Sequence, residues 1–472
     1  MKKFLSIMLS VILVLSVFSM NASAYSTEKL TQEEWDTLYS SLKDDNTLPM
    51  LCQGADETKL GLVWHSPVDS AKAEVKLSKN SDMSDATVFT GQIDPAENKE
   101  QVVCRVDITG IEENTTYYYQ WYTGEKWSET CEYKSNSFDS YKMMVIGDIQ
   151  IGGQTDEATK QSEDGFTWQS VLSEAMTKNP DISFLLSCGD NTSTGQGANE
   201  WQTLLMPPLV RNIPLALTIG NHDKKGMMYD YYTHMPNEFY GEYFTGLDRD
   251  FYFTYGDVLY LVFDATSPSA ADHMAMAKKA VEENPDTKWR IAVMHQALFG
   301  PAYGSLDPET GILLNAVFTP IFDTYDVDLV LTGHSHLQGR SHFMVESSVV
   351  GKAESGKAYV EPEGIIYLNS NAVCDHDSFT LPLPHVAYEF IENDVTTYTT
   401  LEFYGDTMKI STFRGDNSEL LDEVSIIKKN VEHKDNSLGK LIQRLLYKVV
   451  EFLGMVYQKI DAIVVANRGG HF

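Results

Sequence analysis

The chain has 472 residues, 43% of them hydrophobic, and sets 36 Lys and Arg against 67 Asp and Glu for a net charge of −31. That length calls for two or three domains with real cores. So acidic a surface repels polyanions, which excludes a nucleic-acid scaffold role, and an anionic substrate would need bound cations for local attraction.

The start reads as a secretory signal, residues 1–24. Lys2 and Lys3 precede an apolar stretch over 5–18, and Ala22-Ser23-Ala24 is a small-residue cleavage site. Cleavage near Ala24 would leave a secreted or cell-envelope protein of charge −33, since Lys2 and Lys3 are lost. The competing reading, a membrane anchor, fits poorly because the apolar core is short. Residues 25–47 contain the capping-box pattern Thr31-Gln32-Glu33-Glu34 and then Trp35, Leu38, Tyr39 and Leu42 at helical spacing. This predicts a short helix that packs.

Residues 48–138 have an all-β texture. Residues 60–64, 73–77 and 102–106 alternate, residues 117–122 form an aromatic run, and polar turns separate them. A sandwich of about 90 residues is predicted. The five cysteines (Cys52, Cys104, Cys131, Cys188, Cys374) lack C-x-x-C spacing, so zinc-finger and thioredoxin readings fail. A Cys52–Cys131 or Cys52–Cys104 bridge stays open, and Cys188 reads as a small buried apolar residue.

From Tyr141 strands alternate with helical stretches (167–178, 200–209, 274–283), the pattern of an α/β domain over 140–430. Residues 229–256 and 299–311 read as aromatic- and Gly-rich loops that shape a pocket. Strands at 364–369, 398–403, 408–412 and 424–428 complete the domain, with a hairpin turn at Gly405-Asp406. Beyond it, residues 437–466 predict an amphipathic helix with Lys440, Arg444 and Lys448 beside a wide apolar stripe. Docking on the body, self-association and membrane contact are its three readings.

Within 140–430, five apolar runs end on polar groups. Residues 143–146 lead to Gly147-Asp148, 182–186 to Gly189-Asp190-Asn191, and 215–219 to Gly220-Asn221-His222-Asp223. Residues 291–294 lead to His295, and 329–331 to Gly333-His334-Ser335-His336. Ligands gather at the carboxyl ends of strands in α/β sheets. These ends could bring hard oxygens and imidazoles to one place, which is a metal-site inventory. His234, His273, His376 and His385 lie in loops and read as ordinary residues, with His376 a candidate for the pocket rim.

This ordered set resembles the calcineurin-like metallophosphoesterase superfamily, and the preceding sandwich makes purple acid phosphatases the nearest branch. Residues 108–119, which include Ile108-Thr109-Gly110-Ile111 and Tyr117-Tyr118-Tyr119, resemble the corner of a fibronectin type III sandwich. The implied fold is a fibronectin-III-like domain, then a two-sheet αββα metallophosphoesterase domain. The resemblance implies two metal ions, Fe, Mn or Zn in divalent or mixed-valence combination. Asp190 would bridge them, Asp148 and His336 would hold the first, and Asn221, His295 and His334 the second. Metal-bound hydroxide would attack a phosphomonoester in line, with His222 as leaving-group acid and Asp223 orienting it. The implied substrate is a phosphorylated small molecule or ester.

Three positions depart from that pattern. Ser193 stands where purple acid phosphatases place an iron-binding Tyr, so a purple tyrosinate is not expected. Gln150 stands where other members have His, either as a weak ligand of the first metal or behind it. Gln296 stands where a second His is common. Arg340 matches the family's Arg and is expected to buttress the site. Phosphodiester or nucleotide hydrolysis is the alternative activity. A degenerate surface-binding protein, or an adhesin working through its sandwich and tail, is the alternative class.

Overall fold

The computed structural model describes residues 29–430, apart from 154–157, 242–248, 268, 300–307, 346–347, 375–387 and 393–394. The expected signal at 1–24, the expected helix at 437–466, His376 and His385 lie outside the described residues.

Two large sheets build the α/β region. The first has 11 strands and the second has seven. In the middle of the first, Tyr141–Ile146, Ile182–Ser187 and Leu215–Leu217 run parallel side by side. In the second, Val258–Phe263, Trp289–Met294, Leu329–Thr332 and Ile366–Asn369 do the same. All five site-bearing runs are therefore strands.

Alternation along these strands explains the layering. Val258, Tyr260 and Val262 join a core shared with the first sheet, whereas Leu259, Leu261 and Phe263 face a second core. Ile291 and Val293 against Ala292 and Met294 repeat the pattern. A strand with both faces apolar must be covered on both sides. Helices Ala270–Glu283 and Pro308–Thr324 supply Met276, Ala277, Phe318 and Ile321 to the outer face. Helix Ala158–Lys178 supplies Trp168, Val171 and Leu172 against the first sheet. Each fully buried Leu, Ile or Val contributes about 1.5–3 kcal/mol. The result is helix, sheet, sheet, helix.

The N-terminal β domain follows the expected alternation, with Leu60, Leu62 and Trp64 in its own core. A four-stranded sheet (Thr87–Thr90, Glu74–Ser78, Thr116–Trp121, Cys131–Lys134) forms one layer. The other layer is not separate. Met50–Gln53 pairs in parallel with Leu215–Leu217, Cys52 opposite Leu215, so it continues the 11-stranded sheet. The backbone N–H of Glu112 donates to the hydroxyl of Tyr117 at 2.8 Å, closing the corner. Thr31 and Glu34 form the capping box, and Trp35 docks that helix by donating to the Ser162 carbonyl at 2.8 Å.

All five cysteines are free, so neither of the two bridges left open by the sequence forms. Two expectations need correction. The stretch 229–256 is not a plain loop, because it holds helix Met228–Tyr232 and strand Phe251–Tyr255, whose aromatic run packs on both faces. The stretch 299–311 ends inside helix Pro308–Thr324, where Pro308 suits a first turn.

Candidate metal centre

Carboxylate and amide oxygens come from one sheet and imidazoles from the other. Asp148, Asp190 and Asn221 follow the three parallel strands of the first sheet. His295, His334 and His336 follow two adjacent strands of the second. The glycines before them clear the approach. A Cβ on Gly220 would stand 2.1 Å from the Asp190 carboxylate, and one on Gly333 would stand 2.4 Å from that of Asp148. The backbone is also bent for the purpose. Asp148, Gln150, Asp190, His334 and His336 all have φ between 45° and 69°. Each such residue costs about 1–2 kcal/mol, which the surrounding packing offsets.

The tightest convergence is on His295. Its Nε2 lies 3.0 Å from Asp190 Oδ2, 3.1 Å from Asn221 Oδ1 and 3.2 Å from His334 Nδ1. Its Nδ1 lies 3.0 Å from the Cys188 carbonyl, which fixes a proton there and turns the Nε2 lone pair toward the cluster. A single N–H at Nε2 could serve only one of three neighbours, whereas one cation would satisfy all four atoms. Asp190, His295 and His334 bring their ligand atoms within 4.8 Å of one another. Burial disfavours charge on both Asp190 and His295. Their mutual attraction outweighs it, holding the carboxyl below its usual range and the imidazole above its own.

Around Asp148 the geometry is looser. His336 Nε2 stands 3.5 Å from Asp148 Oδ1, and His295 Nε2 stands 4.0 Å from it. The His334 backbone N–H donates to both carboxylate oxygens, at 2.9 and 3.1 Å. Gln150 is 1% exposed, and among the described residues its side-chain oxygen has no hydrogen-bond partner. An orphaned buried oxygen is costly unless something cationic or donating sits against it. The donor set thus fits two hard or borderline cations. Ser193 does not replace the missing phenol, because its hydroxyl donates to the Gln150 carbonyl at 3.0 Å.

His222 is tied in by its backbone N–H, which donates to Asp190 Oδ1 at 2.7 Å. Its orienting partner is not Asp223, contrary to expectation. His222 Nδ1 meets the Ser193 carbonyl at 2.6 Å. The turn Asp223–Lys225 sends the Asp223 carboxylate inward instead, onto the N–H groups of Gly220, Asn191 and Thr192 at 3.0–3.1 Å. It also accepts from the Asn191 amide and Thr192 hydroxyl, at 3.0 and 3.2 Å. Burial and the nearby Asp190 charge push its carboxyl up to about 6. Asn191 and Thr192 went unread as support residues, although Asn191 belongs to the Gly-Asp-Asn motif.

Arg340 is fully buried. It forms a two-pronged ion pair with Asp422, Nη2 to Oδ1 at 2.9 Å, and donates to the Ala353 carbonyl at 2.7 Å. The pair joins the second sheet to the first, immediately beyond His336. His234 pairs with Asp107 at 2.9 Å and His273 with Asp250 at 2.6 Å, both away from the ligand cluster.

Residues 141–338 match the calcineurin-like phosphoesterase family, and residues 49–135 match the purple acid phosphatase N-terminal domain. No curated protein matches this chain. Among solved structures, the purple acid phosphatase PPD1 from yellow lupin (Lupinus luteus) seeds superposes with a TM-score of 0.66 at 13% identity, over 84% of this chain and 75% of that one. GAP50, the anchor in the inner membrane complex of Plasmodium, aligns at 14% identity over 65% of this chain and 94% of that one, with a TM-score of 0.43. The chain thus carries a calcineurin-like phosphoesterase domain behind a purple acid phosphatase N-terminal domain, the combination of a metal-dependent phosphoester hydrolase.

Proposed function

We propose that this is a secreted, two-metal phosphoesterase that hydrolyses phosphomonoesters. The observation that carries the reading is the convergence of Asp190, Asn221 and His334 on one nitrogen of His295. Asp190, Asn221, His295 and His334 would hold one cation. Asp148, His336 and Asp190 would hold the other, with Gln150 as a supplementary oxygen. Two such cations neutralise a phosphate and lower the pKa of a bound water.

The chain's own groups then do the rest. The Ser193 carbonyl keeps a proton on His222 Nδ1 and so presents Nε2 to substrate. From there His222 donates a proton to the departing oxygen. Asp223 holds the turn that carries His222, through backbone N–H groups on two loops. The preference for monoesters is supported by the purple acid phosphatase N-terminal domain, and secretion by the signal pattern at 1–24.

The test is hydrolysis of p-nitrophenyl phosphate against its bis ester by the full secreted chain loaded with Mn²⁺ or Zn²⁺. A faster monoester rate is expected. The reverse ranking would move the reading to a phosphodiesterase. No turnover of either by protein holding two metals per chain would overturn it.

A further inference from the structure

Five strand ends supply the proposed ligands, and a sixth reaches the same place without contributing to that set. Strand Ile366–Asn369 lies between Leu329–Thr332 and Gln338–Ser341. The turn 333–337 joins those two outer strands, so it carries His334 and His336 across the end of the middle one. The residue at that end is Asn369, opposite Thr332 on one side and Gly339 on the other.

Asn369 is fully buried, and its amide is spent on the turn. Its Nδ2 donates to Ser335 Oγ at 2.6 Å, to the Leu337 carbonyl, and to the Ser370 carbonyl at 3.2 Å. Its Oδ1 accepts from Thr332 Oγ1 at 3.0 Å. Carbonyls only accept, so the nitrogen must be the atom that faces the turn. Ser335, the residue it grips, stands between the two histidines. The turn needs such a clamp, because His334 and His336 both have left-handed backbones, with φ of 69° and 52°. Residues with a Cβ hold that conformation only where their surroundings impose it.

We infer that Asn369 is a positioning residue for both halves of the candidate metal centre, acting through Ser335 and the turn. This rests on the two-metal reading. Held by Asn369, the turn sends its imidazoles to opposite sides. His334 Nδ1 lies 3.2 Å from His295 Nε2, and His336 Nε2 lies 3.5 Å from Asp148 Oδ1. The same strand end also braces Asp148, since the Val373 backbone N–H donates to the Asp148 carbonyl at 2.9 Å. Without the amide, the Leu337 carbonyl and Ser335 hydroxyl lose a partner, and the turn is free to relax toward ordinary backbone angles. Both histidines would then leave the geometry a cation requires, although neither ligand is altered.

The experiment is calorimetric titration of Zn²⁺ into metal-stripped full chain, wild type against Asn369→Ala and Ser335→Ala, with the absorption spectrum of each at saturating Co²⁺. Ser335→Ala removes one contact and keeps Asn369, so it reports on the turn should the first variant not fold. The Co²⁺ spectrum of folded protein follows ligand geometry and is insensitive to stability alone. Asn369→Ala is expected to weaken both equivalents of metal by about 10- to 100-fold and to shift the Co²⁺ bands. Ser335→Ala should move both readouts the same way, by at least about three-fold in affinity. Unchanged affinities and spectrum in a folded variant would overturn the inference, as would weakening of one equivalent alone. The two-metal reading would survive either result. Wild-type protein that binds no cation would bring down both.

Discussion

The two halves of the candidate metal centre are not alike. Around His295, Asp190 Oδ2, Asn221 Oδ1 and His334 Nδ1 already sit within hydrogen-bonding distance of Nε2. Around Asp148 the His336 imidazole is 3.5 Å away, and the side-chain oxygen of Gln150 has no hydrogen-bond partner among the described residues. The first arrangement is assembled by the protein itself. The second keeps an unsatisfied group that a cation would complete. A site built this way should fill in order, with the His295 half tight and the Asp148 half weaker and more easily stripped.

Removing Asp190, which we propose is common to both halves, should have the largest effect. Asp190→Ala is expected to lower kcat by about 10³-fold or more, because both cations lose a ligand. Near-normal activity in steady-state assays of this variant would mean that the halves do not share Asp190.

Next comes the brace beyond His336. Asp422→Ala leaves Arg340 charged and unpaired in the interior, a loss of about 3–5 kcal/mol. A lower urea midpoint is expected, together with weaker retention of the second equivalent of metal. Loss of stability with unchanged metal retention would separate the brace from the Asp148 half.

The Asp223 carboxyl gives a pH signature of about 2–3 kcal/mol in metal-free protein. Its folded pKa, about 6, lies above the unfolded value near 4. The fold therefore favours its neutral form, and the stability this contributes is present at low pH and is lost as pH rises through 6. Asp223→Asn cannot ionise. Relative to it, wild-type protein should lose stability between pH 4.5 and pH 7.5 in urea titrations. A difference that stays constant with pH would show that Asp223 is not held in this way.

The smallest effect separates the halves most cleanly. Gln150→Ala should weaken only the looser site, by about ten-fold in affinity, and Gln150→His should tighten it. Equal changes at both sites in calorimetric titrations would erase the asymmetry.

Much of this candidate centre is legible in the sequence, because each proposed ligand group follows a short apolar strand and, except at His295, a glycine. Gly220 and Gly333 are there for the carboxylates of Asp190 and Asp148, so motif and geometry coincide. Which sheet each ligand belongs to is not legible, since strand pairing joins residues far apart, as Cys52 and Leu215 show. The same long-range pairing merges the N-terminal β domain with the catalytic sheet. Asp223 was misjudged for the opposite reason. Adjacency to His222 suggested a pair, while a single tight turn points the two side chains apart. Helix Pro308–Thr324 was hidden because its mean hydropathy is high and it carries Pro320 within it.

The central claim is two cations sharing Asp190. The most direct measurement is calorimetric titration of Mn²⁺ or Zn²⁺ into metal-stripped full-length protein, with bound metal counted by mass spectrometry. Two equivalents per chain, one tight and one weaker, with both lost or severely weakened in Asp190→Ala, is the predicted result. A single equivalent, or two that survive Asp190→Ala unchanged, would contradict it.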